Sequence, residues 1–556
     1  MKMLCVHRYW ISFVIGILSG LPLAVVEGGE GKTSVPLQEN LGPHTYIVTT
    51  SLPLAQRYFD QGLILAYGFN HAEAERSFRA AHSLDPKCAM CYWGEALVLG
   101  PNINAPMGTS VMPRAYEAVQ NALALTDQEK TTEKERVLIH ALAKRYSQEF
   151  ASERRHLDET YAAAMRGVFQ QYPDDAVIGA LFAESLMDLH PWDFWTKDGE
   201  AKPWTPEIRQ TLEHVLQNAP DHPLANHLYI HTMEASPYPE AALPNAERLA
   251  TLVPGSGHLV HMPGHIYIRI GQYRDAVLAN QQAVKVDQRY LRHSHAESLY
   301  TAAYVPHNYH FLWAAAIKTG QRALSTQAAK DTAAQVHPEA MRDPAVAGTL
   351  QHFWLMPLYT KAMFGQWADI RHEPAPAADL LYPTGIWHYA RGLALLRQGE
   401  LAQAREELAL LQGLAHHPDV TTLTIFDLND VEDILSIAEH ILSGEVSASE
   451  GKIDSAIDHL QRAVELEDGL NYTEPKDWYL PPRQVLGAIY LEAGKAADAE
   501  SVYREDLKHH PQNGWSLYGL VQSLQAQGKT EEARETHKQF ARAWADADVE
   551  LQGSRN

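Results

Sequence analysis

Histidines recur in this chain at a spacing suited to chelation. His227 and His231 stand four residues apart, and 34 residues later His261 and His265 repeat the pair. Four residues make about one helical turn, so each pair projects two imidazoles from one stripe of a helix. Glu234 follows His231 by three residues and extends the stripe to His-x3-His-x2-Glu. His258 precedes His261 by three, and His307 precedes His310 by the same interval. Imidazole suits zinc, copper and iron, and two histidines with one carboxylate suit non-haem iron. His227, His231, His258, His261, His265, His307 and His310 are therefore candidate ligands for one or two transition-metal ions: copper, zinc or iron. Glu234 is the candidate catalytic base or an added ligand. Asn280, Tyr267, Tyr304 and Asn308 are candidate polar groups around it. The competing use of the same histidines is local hydrogen bonding, or recognition of an acidic peptide in a groove.

Cys88-Ala-Met-Cys91 is the other chemistry-bearing motif. Outside the cytoplasm such a pair reads as a disulfide or redox couple, and Met90 between two sulfurs also permits a Cu(I) site. No second cysteine pair accompanies it, so zinc is weakly supported. The compartment is read from the N-terminus. Lys2, His7 and Arg8 precede the apolar run from Ile11 to Val26, and Glu27-Gly-Gly-Glu30 turns polar. That is the layout of a secretory signal with cleavage near residues 24–29, which predicts a periplasmic or secreted protein. The run is short for a membrane span, an uncleaved anchor being the alternative, and no later run is long enough.

Charge and composition narrow the partners. Lys and Arg number 46 against 68 Asp and Glu, a formal net charge of −22 over 556 residues, which argues against a nucleic-acid binder. With 46% hydrophobic and 21% charged residues the chain is globular, not disordered. No nucleotide-binding glycine loop and no Ser-His-Asp set stands out.

The elements that must hold the histidines are legible as an internal repeat. In the 34-residue unit starting at Leu480, Gly487 is eighth, Tyr490 eleventh, Gly494 fifteenth, Ala499 twentieth, Tyr503 twenty-fourth and Pro511 thirty-second. The next unit starts at Gly514, with Leu517, Leu524, Gly528 and Ala533 in register. Units from Ile437 and Ala55 share the pattern, the latter through Gly62, Ala74, Phe78 and Pro86. Looser units begin at Gln351 and Gly385. Small residues at places eight and twenty let two antiparallel helices approach, while large apolar residues fill between them.

The pattern resembles the tetratricopeptide repeat family, over about residues 55–545. The wider resemblance is to exported bacterial repeat proteins that carry a His-x3-His and a His-Met-Pro-x-His segment. It implies an all-α helical-repeat solenoid, a right-handed superhelix whose groove is lined by the first helix of each pair. The segments expected are a signal (1–26), an N-terminal extension (27–54) and N-terminal repeats (55–222) interrupted by the aromatic insertion 190–204. Central His-rich repeats (223–345), degenerate repeats (346–430) and C-terminal repeats (437–556) follow. The aromatic insertion is either a cap on the groove or a loop packed on the solenoid.

On this register the histidines occupy groove-facing places. Units from Pro223 and Gly257 put His227 and His261 fifth and His231 and His265 ninth. The unit from Pro306 puts His310 fifth, and His258 and His307 are second in theirs. With roughly 5% histidine in the chain, chance seldom repeats one place three times. All seven rings are expected to converge on one patch. Pro263 complicates this, because a helix opening there leaves His258 and His261 on its entry loop. Three functions fit: a metal-dependent oxidoreductase or hydrolase, a scaffold binding a peptide or small molecule in its groove, and a periplasmic metal-handling protein.

Overall fold

The computed structural model describes residues 35–127, 130–149, 154–293 and 298–556. The expected signal (1–26) lies outside them. The described residues are mostly helical; their strands are the short antiparallel pair Thr424–Ile425 and Asn429–Asp430. None of their helices is long and apolar enough to cross a membrane.

The chain divides into two compact units. Among the described residues the first takes 35–266 and 279–305, and the second takes Tyr267–Leu278 and Pro306–Asn556. The His-rich segment 223–345 is thus shared between them.

In the first unit, successive helices pack as antiparallel pairs, among them Pro53–Tyr67 with His71–Leu84 and Pro223–Glu234 with Leu243–Leu252. Starts are specified locally. Thr132 and Glu135 form a capping box on Glu133–Ala143, and Asp175 accepts from the amides of Val177 and Ile178. The pairs close because small residues face large ones. Phe78 lies between Gly62 and Gly94, and a β-carbon on Gly62 would sit 2.8 Å from its ring.

The second unit repeats the device. Tyr503, on Ala496–His509, lies between Gly487 and Gly519 of the flanking helices, where added β-carbons would collide with its ring. Its core buries Tyr382, Tyr389, Trp478 and Trp515. Turns between helices fall at place fifteen of the repeat, where Gly399, Gly451, Gly494 and Gly528 adopt φ of 73–80°. Only glycine reaches that left-handed region without steric cost.

Candidate metal centre

The histidines of the first unit come together on two short stretches of helix. His227 and His231 lie one turn apart on Pro223–Glu234. Pro at its first position presets the backbone, and His222 caps it by accepting from the Ala225 amide at 3.2 Å. His258 and His261 lie on Gly257–His261, and His265 on Pro263–Arg269. The entry loop expected before Pro263 is not formed. Met262 keeps helical angles, its amide donates to His258 O at 3.1 Å, and Pro263 opens the next turn. A proline lacks one donor, which breaks one rung without unwinding the chain.

The ring nitrogens meet at their ε ends. His227 Nε2 lies 3.0 Å from His231 Nε2 and 3.2 Å from His258 Nε2. His261 Nε2 lies 2.9 Å from His265 Nε2. The δ ends are held elsewhere. His227 Nδ1 donates to the Tyr67 carbonyl at 2.7 Å, and His231 Nδ1 to Glu234 Oε1 at 2.7 Å. His265 Nδ1 lies 2.5 Å from Glu234 Oε2, and His261 Nδ1 2.7 Å from Asn280 Oδ1. Glu234 therefore spans the two pairs with its two oxygens.

Chemistry follows from these partners. A carbonyl or carboxylate oxygen only accepts, so the Nδ1 facing it carries the proton and Nε2 of a neutral ring keeps a bare lone pair. Burial, reinforced by His231, holds His227 well below the ordinary imidazole range. Burial, reinforced by His265, does the same to His261. Burial also lowers His231, against the pull of Glu234. Burial alone would push Glu234 up, but hydrogen bonds and attraction from His265 and His231 hold it below the ordinary carboxylate range. The result is paired lone pairs facing each other about a charged carboxylate. Two nitrogens that ligate one ion at about 2.0–2.1 Å lie roughly 2.9–3.4 Å apart when they subtend about 90–109° at it. The spacings match.

The outer ring is aromatic and buried. The phenyl ring of Phe69 lies 4.6, 5.5 and 6.2 Å from the rings of His227, His258 and His231. Tyr304 stands edge-on to His258 at 4.8 Å and Trp192 to His231 at 5.1 Å. His258 is fixed at its backbone too: its amide donates to Tyr300 OH at 3.0 Å, which donates to Asp287 at 2.8 Å.

His307 and His310 belong to the second unit, with Tyr267 and Asn308. There His310 is fully buried against Trp313, Phe353 and His352, and half-buried His307 packs on Phe311. In the first unit Cys88 and Cys91 are joined as a disulfide at the start of Ala89–Val98.

Residues 490–545 match the family model described as tetratricopeptide repeat. This stretch carries the tetratricopeptide repeat. No curated protein matches it. Similar solved structures include the human IFIT1 dimer with m7Gppp-AAAA, 13% identical, TM-score 0.31, covering 90% of this chain and 92% of that one. The APC/C hetero-tetramer Cut9-Hcn1 is 12% identical, TM-score 0.28, covering 89% and 88%. Yeast Tom70 is 11% identical, TM-score 0.28, covering 87% and 89%. Likeness at these scores carries nothing about ligands.

The repeat register also exposes what histidine spacing missed. Place fifteen is glycine in the units from 257, 306, 351, 385, 437, 480 and 514, all at positive φ. In the unit from Ala55 that place is Phe69, at φ 56°. A bulky residue where the repeat wants glycine was the available signal. The Tyr67 carbonyl left no signal, because a backbone acceptor has no side-chain signature. The aromatic insertion does pack on the histidine helix: Trp195 Nε1 donates to Thr232 O at 2.7 Å and Trp204 stacks on His190 at 3.6 Å.

Proposed function

We propose that this is an exported repeat protein whose first unit binds a transition-metal ion through His227, His231 and His258, with His261 and His265 as a second pair of ligands. One observation carries the reading: two pairs of buried imidazole Nε2 atoms, each ring turned by its Nδ1 toward an oxygen, face each other at 2.9–3.0 Å. Neutral lone pairs at that distance repel, and a shared cation turns the repulsion into ligation. Glu234 serves as the outer carboxylate that orients His231 and His265, a common arrangement for metal-bound imidazole. With both oxygens on Nδ1 atoms it is a positioning residue. The Cys88–Cys91 bond supports an oxidising compartment.

The test is elemental analysis of full-length protein from its native compartment, beside a His227→Ala/His231→Ala double variant. About one or two equivalents of copper, zinc or iron are expected in the wild type and none bound at these residues in the variant. Metal-free wild type at native purity, refusing all three ions on titration, defeats the reading.

The repeats at 490–545 favour a second reading, a helical scaffold for a protein or peptide partner. A scaffold keeps its partner after the double substitution and after chelation. A metalloenzyme of the oxidoreductase or hydrolase kind loses its activity with the ion.

A further inference from the structure

In the second unit the first helices of five successive repeats are Met356–Met363, Leu381–Arg397, Val431–Ser449, Pro482–Glu492 and Gly514–Ala526. Residues 551–556 follow the last helix pair and run back across all five, with no helix or strand of their own. Gln522 Nε2 donates to Gln552 O at 3.2 Å, and Ser554 Oγ donates to Gln484 O at 2.8 Å. Arg555 pairs with Glu445 and, at 2.8 and 2.9 Å, with Glu492. Arg397 Nε donates to Asn556 O at 2.8 Å, and Asn556 Nδ2 donates to Met363 O at 2.6 Å. One extended stretch thus meets the five helices in reverse order.

A strap that only closed the last repeat would need no contact beyond Gly514–Ala526 and Thr530–Ala543. This one is anchored elsewhere, where Asp548 accepts from the amides of Arg322 and Ala323 at 2.6 and 2.8 Å, and its grip beyond that point is polar. Ser554 is fully buried, and its hydroxyl meets Tyr503 OH at 2.6 Å, on the ring that lies between Gly487 and Gly519. The Arg555 side chain is 11% exposed and lies between two carboxylates, a seat that suits the planar fork of a guanidinium. Departure of the segment orphans no buried charge. Glu445 keeps Arg397, which donates to it at 2.9 and 3.0 Å, and Glu492 is 60% exposed. An open cleft beside the segment, lined by Phe364, Trp367, Ala488 and Leu491, leaves room for exchange.

We propose that these five helices form a peptide-binding groove, filled in cis by residues 552–556, and that the partner it serves is an extended segment placing an arginine between Glu445 and Glu492. The proposal rests on the scaffold reading above and adds the class of ligand and the device that withholds the site from it. Tethered at Asp548, the segment meets the groove at an effective concentration of about millimolar, so a free ligand must compete with it.

The test is fluorescence anisotropy with a labelled peptide Val-Glu-Leu-Gln-Gly-Ser-Arg-Asn, the sequence of residues 549–556, titrated with full-length wild type, Arg555→Glu and Ser554→Trp. Both substitutions expel the segment, one by setting a carboxylate against Glu445 and Glu492, the other by volume at a fully buried position. Each variant is expected to bind the peptide at least tenfold more tightly than wild type. A second peptide with alanine in place of the arginine is expected to bind the same variants at least tenfold more weakly. Either variant serves alone should circular dichroism show that the other does not fold. Equal binding by wild type and variants overturns occupancy in cis, and equal binding of the two peptides overturns the arginine seat. A pool of random octapeptides separates the two readings. Released variants that retain pool members but not the arginine peptide refute the proposal and leave a scaffold standing. Variants that retain neither refute the scaffold reading of this groove as well.

Discussion

Glu234 is where the two histidine pairs meet, one oxygen on His231 Nδ1 and the other beside His265 Nδ1. Glutamine keeps the shape but offers one acceptor and one amide donor, so one of the two imidazoles faces a donor and loses its tautomer. Outer partners of this kind typically control metal affinity by 10–100-fold. Glu234→Gln is expected to weaken metal binding by about that factor while circular dichroism stays helical; unchanged affinity in a chelator competition would remove Glu234 from the site. At this scale the sequence was partly legible. Side chains repeating at 34 residues could be placed on one face, which brought His227, His231, His261, His265 and Glu234 forward. Phe69 was legible only as a bulky residue at a place the repeat elsewhere gives to glycine, and Trp192 not at all, because nothing in an aromatic residue's type announces a positive φ. Nor does a sequence say which ring nitrogen a neighbour will claim.

Helix pairing depends on contacts so close that one methyl group decides them. Phe78 and Tyr503 each stand 16 residues after one glycine and 16 before another, and both glycines press on the ring. That symmetry is why the register was readable: a small residue is compulsory wherever a neighbouring ring fills the space its side chain would take. Gly94→Ala is expected to destabilise the first unit by about 1–3 kcal/mol through overpacking on Phe78. Gly528→Ala has nothing within 4 Å of the new carbon but sits at φ 73°, so its expected cost is the smaller backbone one of about 1 kcal/mol. Urea melts of the two variants check the order, and a larger loss at Gly528 would contradict the packing account. The one-turn helix carrying His258 escaped sequence reading because a proline five residues on is normally a start signal. Here the segment before it is already fixed by Tyr300 and Asp287, which are distant in sequence.

Across the whole molecule, buried titratable groups of opposite sign set how stability responds to acid. In the second unit burial lowers His352 to about 3 and raises Asp477 to about 7. His352 faces Tyr382 OH at 2.8 Å, and Asn429 Nδ2 donates to Asp477 Oδ2 at 2.7 Å. The two act in opposite directions. Below pH 6.5 the unfolded chain protonates its histidine while the folded one does not, so His352 loses the fold about 1.4 kcal/mol per pH unit down to pH 3. Between pH 7 and 5 the folded state protonates Asp477 while the unfolded chain keeps it charged, so this residue adds stability as pH falls. Each effect amounts to roughly 2 kcal/mol between pH 7 and 5. Their difference is best read in paired variants. Relative to wild type, His352→Gln is expected to gain stability on going from pH 7 to 5, and Asp477→Asn to lose it. Urea unfolding of both at the two pH values measures the shift. Parallel pH responses in the two variants would mean that burial does not control these residues, and that the polar interior of the second unit is open to solvent.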